Sequence, residues 1–571
     1  MKKKIILIAV AFLLVVKVEF VAMGAEYFSD FANRKTAAVY ELSPVTYGEA
    51  VNPKMQDMKN FDPNKFSVRP KISKTIASGE FKKLTPEDPV MAKENGKIIN
   101  RIIKKAEAET KIILPEGRYC IDSPISLKGK SNITLSAEGE GATLINTSYT
   151  PFGEGSPNMI DIFGCENIQI ENISFDYKAF PTAEGVIVGQ TDTATTFRVY
   201  EEYLKGEKDR LLGGEVVTSV FTADLGGFKE EAWPESPLKL QKENEENFSI
   251  PLKIGQVGDK IACRLSGSGH YVINVTNTAG LILKAIRCYS CPGGFVLATE
   301  GNSDLGFFGL RTEVAEGSER LLSSNEDCLH LRNVAGKLIL SGSTFLGIGD
   351  DALNIHSAVV SVSETKGNEL RLGGNPLMAY LFAKPQETVE LFDRNYNSLG
   401  LATVKKRGFG EITLAQLTEA QREAVYLQNV SLSPDTYISG CRVGFARARG
   451  FLIQSKNCII KNCDFEDIRL SAVLAAPDFG YWLEGGFCDN LLIENNRFKN
   501  CVTAGNDMGV VQIGSAHDSL RGNGNCTLGH KNITLRGNLF ENCTEKDYRY
   551  FNVMNFINED IVSEISDNKS F

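Results

Sequence analysis

The stretch Asn457-Cys458-Ile459-Ile460-Lys461-Asn462-Cys463-Asp464-Phe465 decides the architecture, because it returns along the chain with the same grammar. Copies run Asn167–Phe175, Lys337–Phe345, Asn490–Phe498 and Asn532–Phe540, and weaker ones end at Cys288 and Thr312. Ends at 288, 312 and 345 are spaced by 24 and 33 residues, those at 465, 498 and 540 by 33 and 42. Alternating aliphatic positions mark each copy as a short strand. The asparagines suit tight turns, since they tolerate left-handed backbone and bond locally. Strand, turn, strand, with phenylalanine and aliphatics facing one interior, repeats here within the roughly 20–50-residue period of a solenoid. We therefore expect an all-β chain, a right-handed parallel β-helix whose coils bury their faces only by stacking. A sandwich of short strands would need hairpin turns at much closer spacing.

Two stretches lack the module and are expected to be small β-barrels inserted at coil turns, where added length costs little loop-closure entropy. One spans 178–270 and contains Val186–Val188, Phe197–Tyr200, Trp233 and Lys260–Leu265; the other spans 358–437 and contains Val359–Val362, Glu369–Leu372 and Thr388–Phe392. The β-helix then comprises residues 25–177 with an N-terminal cap, 271–357, and 438–571. An amphipathic run at Ile98–Thr110 suits the cap, and Ile112–Gly117 reads as the first strand and turn.

Lys2, Lys3 and Lys4 precede an apolar run from Ile5 to Val16 and small residues at Ala22, Gly24 and Ala25. That pattern is a cleavable signal peptide, residues 1–24, so the protein is expected to be exported, periplasmic or secreted. Twelve apolar residues fall short of the roughly 20 that span a bilayer. Removing four lysines and Glu19 with that segment moves the net charge from −9 to −12. So acidic a chain has no basic field for nucleic acid or anionic lipid, and neutral sugars suit it better than polyanions. Most of the 13 cysteines recur inside the strand modules and read as compact buried hydrophobes. Cys288 and Cys291 have metal-like spacing but no second pair and no nearby histidine, so neither a metal nor any other cofactor is expected.

Two segments carry acid in matched contexts: Glu326-Asp327-Cys328-Leu329-His330-Leu331-Arg332 and Asp350-Asp351-Ala352-Leu353-Asn354-Ile355-His356. Asp327 and Asp351 lie 24 residues apart, one coil, so they should stack on adjacent strands with Asp350 beside them on an exposed ridge. Clustered carboxylates repel one another and raise at least one pKa. Such a set is the minimum apparatus for cleaving a glycosidic bond. The alternatives are a calcium site, which wants six to eight oxygens, and a solvated acidic turn.

The segments Glu326–His356, Arg447–Gln454 and Tyr481–Gly485 resemble glycoside hydrolase family 110. That resemblance implies an exo-acting α-1,3-galactosidase that releases terminal galactose with inversion, including from the blood group B determinant. It makes Asp327, Asp350 and Asp351 the essential acids, although Ser357 stands where the family segment usually has glycine. Polygalacturonases, also β-helical inverters, resemble the arrangement too; by that analogy Asp350 is the general acid, while Asp327 and Asp351 hold and deprotonate water. Candidate sugar contacts are Asn354, His356, His330, Arg447, Arg449, Trp482 and Glu484. Arg447 and Arg449 alternate along the chain, so on a strand at most one would reach the cleft. Trp482 either stacks on galactose or is simply packed.

Three rival classes remain. A polygalacturonase-like hydrolase would need a Gly-His-Gly and an Arg-x-Lys motif, and no Gly-His-Gly occurs among histidines 270, 330, 356, 517 and 530. A calcium-dependent lyase would use the acids as ligands. A non-catalytic carbohydrate-binding solenoid needs no acid cluster at all. The preference between branched and linear α-galactosides is open, as is the oligomeric state.

Overall fold

The computed structural model describes residue 66 and residues 68–560, apart from 149–157, 181, 202–211, 213–214, 225–226, 233–237, 266–270, 481, 505–507, 515–528, 544–547 and 551–552. The expected signal peptide and Trp233 lie outside the described residues. No described helix is long and apolar enough to cross a membrane.

Three sheets of parallel strands wrap around one core. A twelve-stranded sheet runs from Lys74–Ile76 through Glu166–Glu171, Ala279–Lys284 and Val334–Ser341 to Val553–Asn558. A ten-stranded sheet runs from Gly117–Ile121 to Leu539–Glu541. The third takes Ile125–Lys128, Tyr271–Thr276, Gly294–Thr299, Leu329–Arg332, the start of Leu353–Lys366 and Phe451–Ile453. Each strand pairs with its counterpart one coil on, as where Ile168 faces Leu281 and Leu281 faces Leu305. This is a parallel β-helix.

The module explains it locally. Asn172, Asn462 and Asn495 sit at its centre with φ of 57°, 54° and 55°, so one left-handed residue turns the chain from the first sheet to the second. The closing phenylalanines form a ladder: Phe465, Phe498 and Phe540 stack with ring centroids 5.1 and 5.0 Å apart. That matches the spacing of about 4.8 Å between neighbouring strands. Ile168, Leu281, Leu305 and Cys458 are fully buried in the same core, and the described cysteines form no disulfides. The helix Ala92–Lys105 covers the first coils with Ile98, Ile99 and Ile103 buried; it starts six residues before the expected run and ends before Thr110, which begins a strand.

Both interruptions are antiparallel. In the first, the strands between Thr182 and Leu265 form an eight-stranded sheet with its own buried phenylalanines, Phe197, Phe221 and Phe248. Leu238 and Lys239 pair with Val216 and Glu215, while Gln241 and Lys242, one residue further on, pair with Ser249 and Phe248, so this short run bridges the two sides of the module. In the second, Leu353–Lys366, Glu369–Leu372, Glu411–Leu414, Ser398–Arg407, Thr388–Phe392 and Tyr426–Asn429 pair in a ring, a closed six-stranded barrel. Leu353–Lys366 belongs to both structures: its first residues lie in the β-helix wall and its last in the barrel. The barrel is thus fastened to the solenoid by an unbroken strand.

Candidate active site

Leu329 pairs with Leu353, and Leu353 with Phe451. Two residues earlier, Asp327, Asp351 and Arg449 therefore occupy one position on three successive coils. Backbone groups join them: the Asp351 N–H donates to Asp327 Oδ1 at 3.1 Å, and the Arg449 N–H to Asp351 Oδ1 at 2.9 Å. Oxygens of Asp327, Asp350 and Asp351 all lie within 4.8 Å of one another. The ridge is less open than the sequence suggests, because both insertions stand beside it. Asp351 is 1% exposed, whereas the Asp350 side chain is 34% exposed.

Arg447 Nη2 lies 3.0 Å from Asp350 Oδ2, and Arg449 Nε donates to Asp351 Oδ1 at 2.9 Å. Both arginines reach the acids, contrary to the expectation of at most one. The reason is local: the strand Arg442–Ala446 stops before them and the next starts at Phe451, so they lie on a bend where two-residue alternation does not hold.

His330 and Asn354 face each other across the strands. His330 Nδ1 is 2.9 Å from Asp327 Oδ2, and its Nε2 is 3.1 Å from His356 Nε2. His356 Nε2 lies 3.6 Å from Glu484 Oε1, whose partner oxygen accepts from Asn354 Nδ2 at 3.5 Å. Six of the seven expected sugar contacts thus gather around the three acids. Trp482 sits on the same turn, two residues before Glu484, and is 42% exposed.

Burial opposes ionisation throughout this cluster, and its neighbours decide each outcome. Against burial, the His330 hydrogen bond and charge, with the Asp351 N–H, hold Asp327 below the ordinary carboxylate range. Burial pushes Asp351 up, the charges of Asp327 and Asp350 adding to it and Arg449 opposing. Burial would lower His330, but Asp327 raises it; burial and the charge of His330 together keep His356 neutral. Glu484 is pushed up to about 7, chiefly by burial, with His330 pulling it down and Asp327 pushing it further up.

Sequence reasoning missed Tyr271. It pairs with Gly294, which stands one coil before Asp327 in the same column, and its ring meets the His330 ring edge-on at 6.2 Å. A Cβ on Gly294 would run into the Tyr271 ring and the Asp327 carbonyl. The signal was Gly293-Gly294, a glycine pair whose second member opens the strand Gly294–Thr299.

Each insertion braces the site. Arg264 of the first donates from Nη1 to the Asn325 carbonyl at 2.8 Å, two residues before Asp327. On the other side Glu484–Gly485 pairs with Ser357 and Ala358, and Asp478 and Glu484 exchange backbone hydrogen bonds of 2.8 and 2.9 Å. The turn between them is pinned by Phe479, which is buried against Phe392, Tyr396 and Tyr426 of the barrel. Phe479→Leu keeps most of the burial but loses these ring contacts, so it should cost about 1 kcal/mol. Urea unfolding checks this; an unchanged midpoint would show that the barrel does not hold the turn.

No protein-family model matches the chain. It is 24% identical over 411 residues to alpha-1,3-galactosidase B of Bacteroides thetaiotaomicron, covering 64% of this chain and 63% of that one. It is 23% identical over 445 residues to alpha-1,3-galactosidase A of the same organism, covering 72% and 73%. Alpha-1,3-galactosidase B of Bacteroides fragilis is 21% identical over 475 residues, covering 71% and 77%. The first match spans a little under two thirds of that relative's length. Among solved structures, an exopolygalacturonase from Thermotoga maritima is similar at a TM-score of 0.40 and 12% identity, covering 88% of this chain and 96% of that one. The curated relatives bear out the resemblance to glycoside hydrolase family 110.

Proposed function

We propose that this chain is an exported exo-α-1,3-galactosidase that removes terminal galactose from neutral glycans by inversion, without a metal, on a right-handed β-helix. The observation that carries the reading is the column in which Asp327 and Asp351 meet on adjacent coils with Asp350 at their side.

Access supports one partition of the roles. Asp350 is the acid that solvent reaches, so it is placed to protonate a departing glycosidic oxygen, and Arg447 fixes its carboxylate. Asp327, kept ionised by His330, takes the proton from the attacking water. Asp351 is the more readily protonated of this pair, yet its surroundings speak against its being the acid. It is 1% exposed, and its Oδ1 already accepts two hydrogen bonds from Arg449, so it orients water beside Asp327 and shares the proton. His330, His356, Asn354 and Glu484 present donors and acceptors to the sugar hydroxyls. Trp482 offers an aromatic face at the rim.

One observation favours a retaining mechanism instead. Carboxylate oxygens within 4.8 Å are closer than the roughly 6.5–9.5 Å between the carboxyl groups of most inverting pairs. We hold to inversion because the two closest-coupled acids share a single task, gripping one water, and only Asp350 is accessible enough to act on the leaving group. The anomer released first from an α-1,3-galactoside, followed by NMR, separates the two. β-Galactose is expected; α-galactose would overturn inversion while leaving the galactosidase reading intact.

Hydrolysis should also survive EDTA undiminished. A loss of activity that calcium restores would favour a lyase-type site, and binding without turnover would favour a non-catalytic solenoid. Parallel assays with a linear and a fucosylated α-1,3-galactoside establish which is preferred.

A further inference from the structure

We propose that His330, His356 and Glu484 form a binding site for one divalent transition-metal ion of the zinc type, and that an ion held there shuts the cleft. The binding half stands on the geometry of these residues alone; the closing half rests on the reading of the cleft as a galactose site.

The ligand atoms are already spaced for it. The two Nε2 atoms are 3.1 Å apart, His356 Nε2 and Glu484 Oε1 are 3.6 Å apart, and the three groups offer atoms all within 4.8 Å of one another. Around a tetrahedral zinc with bonds of about 2.0–2.1 Å, ligand atoms lie about 3.3 Å from each other. Two imidazoles and one carboxylate are a donor set for zinc, copper or nickel rather than calcium or magnesium.

The surroundings point the same way. His330 Nδ1 is bonded to Asp327 Oδ2 at 2.9 Å, which leaves Nε2 facing His356 and Glu484. A carboxylate behind the imidazole is the usual support of a metal-binding histidine, fixing the ring and strengthening its other nitrogen as a ligand. Asn354, 5% exposed and bonded to Glu484, has a buried Oδ1 with no hydrogen-bond partner, so a further oxygen donor stands at the edge of the trio.

The neighbouring aspartate cluster is different. Asp350 and Asp351 are already held by the Arg447 and Arg449 guanidinium groups, whereas among the described residues no lysine or arginine bonds to His330, His356 or Glu484. The His330 and Glu484 side chains are 15% and 12% exposed, which gives an ion a route from the cleft. An ion there would occupy the donors and acceptors that galactose needs.

The test is calorimetric titration of the EDTA-stripped full-length protein with Zn2+. One ion per chain is expected, bound about tenfold or more weakly by His356→Ala and by Glu484→Gln. Co2+ added to the unaltered protein should give the visible absorption of a low-coordinate nitrogen-ligated ion, a readout that needs no variant to fold. No stoichiometric uptake, or uptake that His356→Ala leaves unchanged, overturns the site and moves any zinc to the buried thiols. Zn2+ should inhibit galactoside hydrolysis competitively, with EDTA relieving it. Full activity with the site loaded, or activation by Zn2+, overturns the closure. Titration reads the site even if no galactoside is cleaved, so failure of the site and failure of the functional reading are told apart.

Discussion

Asp327→Asn, Asp350→Asn and Asp351→Asn are each expected to lower kcat by about 10² or more while leaving the protein folded, the scale of a general acid or base removed from a hydrolase. Asparagine keeps an oxygen at Oδ1. At position 351 it still accepts from the Arg449 N–H and Nε, and at 327 it still accepts from the Asp351 N–H. Asp351→Ala is a different experiment. It strips the partner from a mostly buried guanidinium, a loss that costs about 3–5 kcal/mol for a fully buried pair and less here, because the Arg449 side chain is 28% exposed. The Asn series therefore reports chemistry and the Ala variant reports structure. Within the series, an aryl α-galactoside, whose leaving group hardly needs a proton, should rescue Asp350→Asn most. Rescue of Asp327→Asn instead would exchange the acid and base labels. Near-normal turnover in all three would end the hydrolase reading.

How far the sequence reached depended on whether a residue's neighbours were periodic. The solenoid was legible because its signal is a repeat: Asn172, Asn462 and Asn495 turn the chain at the same point of each module, and Phe465, Phe498 and Phe540 stack as their spacing implies. Stacking of Asp327 on Asp351 followed from that period directly. Arg449 shares their column but lies 98 residues after Asp351, across the closed barrel, so no sequence distance announced it. The alternation argument failed at Arg447 and Arg449 because it assumes a strand, and a bend is what lets both side chains turn toward the acids. Tyr271 was invisible for a related reason. Its role depends on the missing side chain of Gly294 one coil later, an absence that becomes meaningful only once the coils are stacked. Burial was misjudged too, since an isolated β-helix ridge is open, whereas this one is flanked by two insertions whose docking no local pattern encodes.

Glu484→Gln should stabilise the protein at pH 8 and leave it nearly unchanged at pH 4. Burial pushes the Glu484 carboxyl from its ordinary 4.5 to about 7 in the folded chain. Below pH 4.5 it is protonated whether the chain is folded or not, and it contributes nothing to pH dependence. Between 4.5 and 7 the folded protein holds a proton that the unfolded chain has released, so stability falls as pH rises. Above 7 the penalty is complete, and a difference of this size corresponds to about 3 kcal/mol at most. Glutamine is uncharged at every pH and can still hydrogen-bond with Asn354, so the variant escapes the penalty. His330 contributes in the same direction, because its raised pKa gives stability that is present below 6.5 and lost as pH climbs through its folded value. It remains in both proteins, but loses some of its support when Glu484 is neutralised, which trims the gain. Urea midpoints at pH 4, 6 and 8 should therefore show a gap between variant and parent that opens with pH. A gap that stays constant would mean that folding leaves the Glu484 carboxyl at its ordinary value, its neighbours offsetting the cost of burial. It would then be an anionic anchor in the cleft rather than a carboxyl group kept close to neutrality. If the gap opens as expected and galactoside hydrolysis is lost with it, the cleft keeps Glu484 at the expense of stability because the sugar needs it.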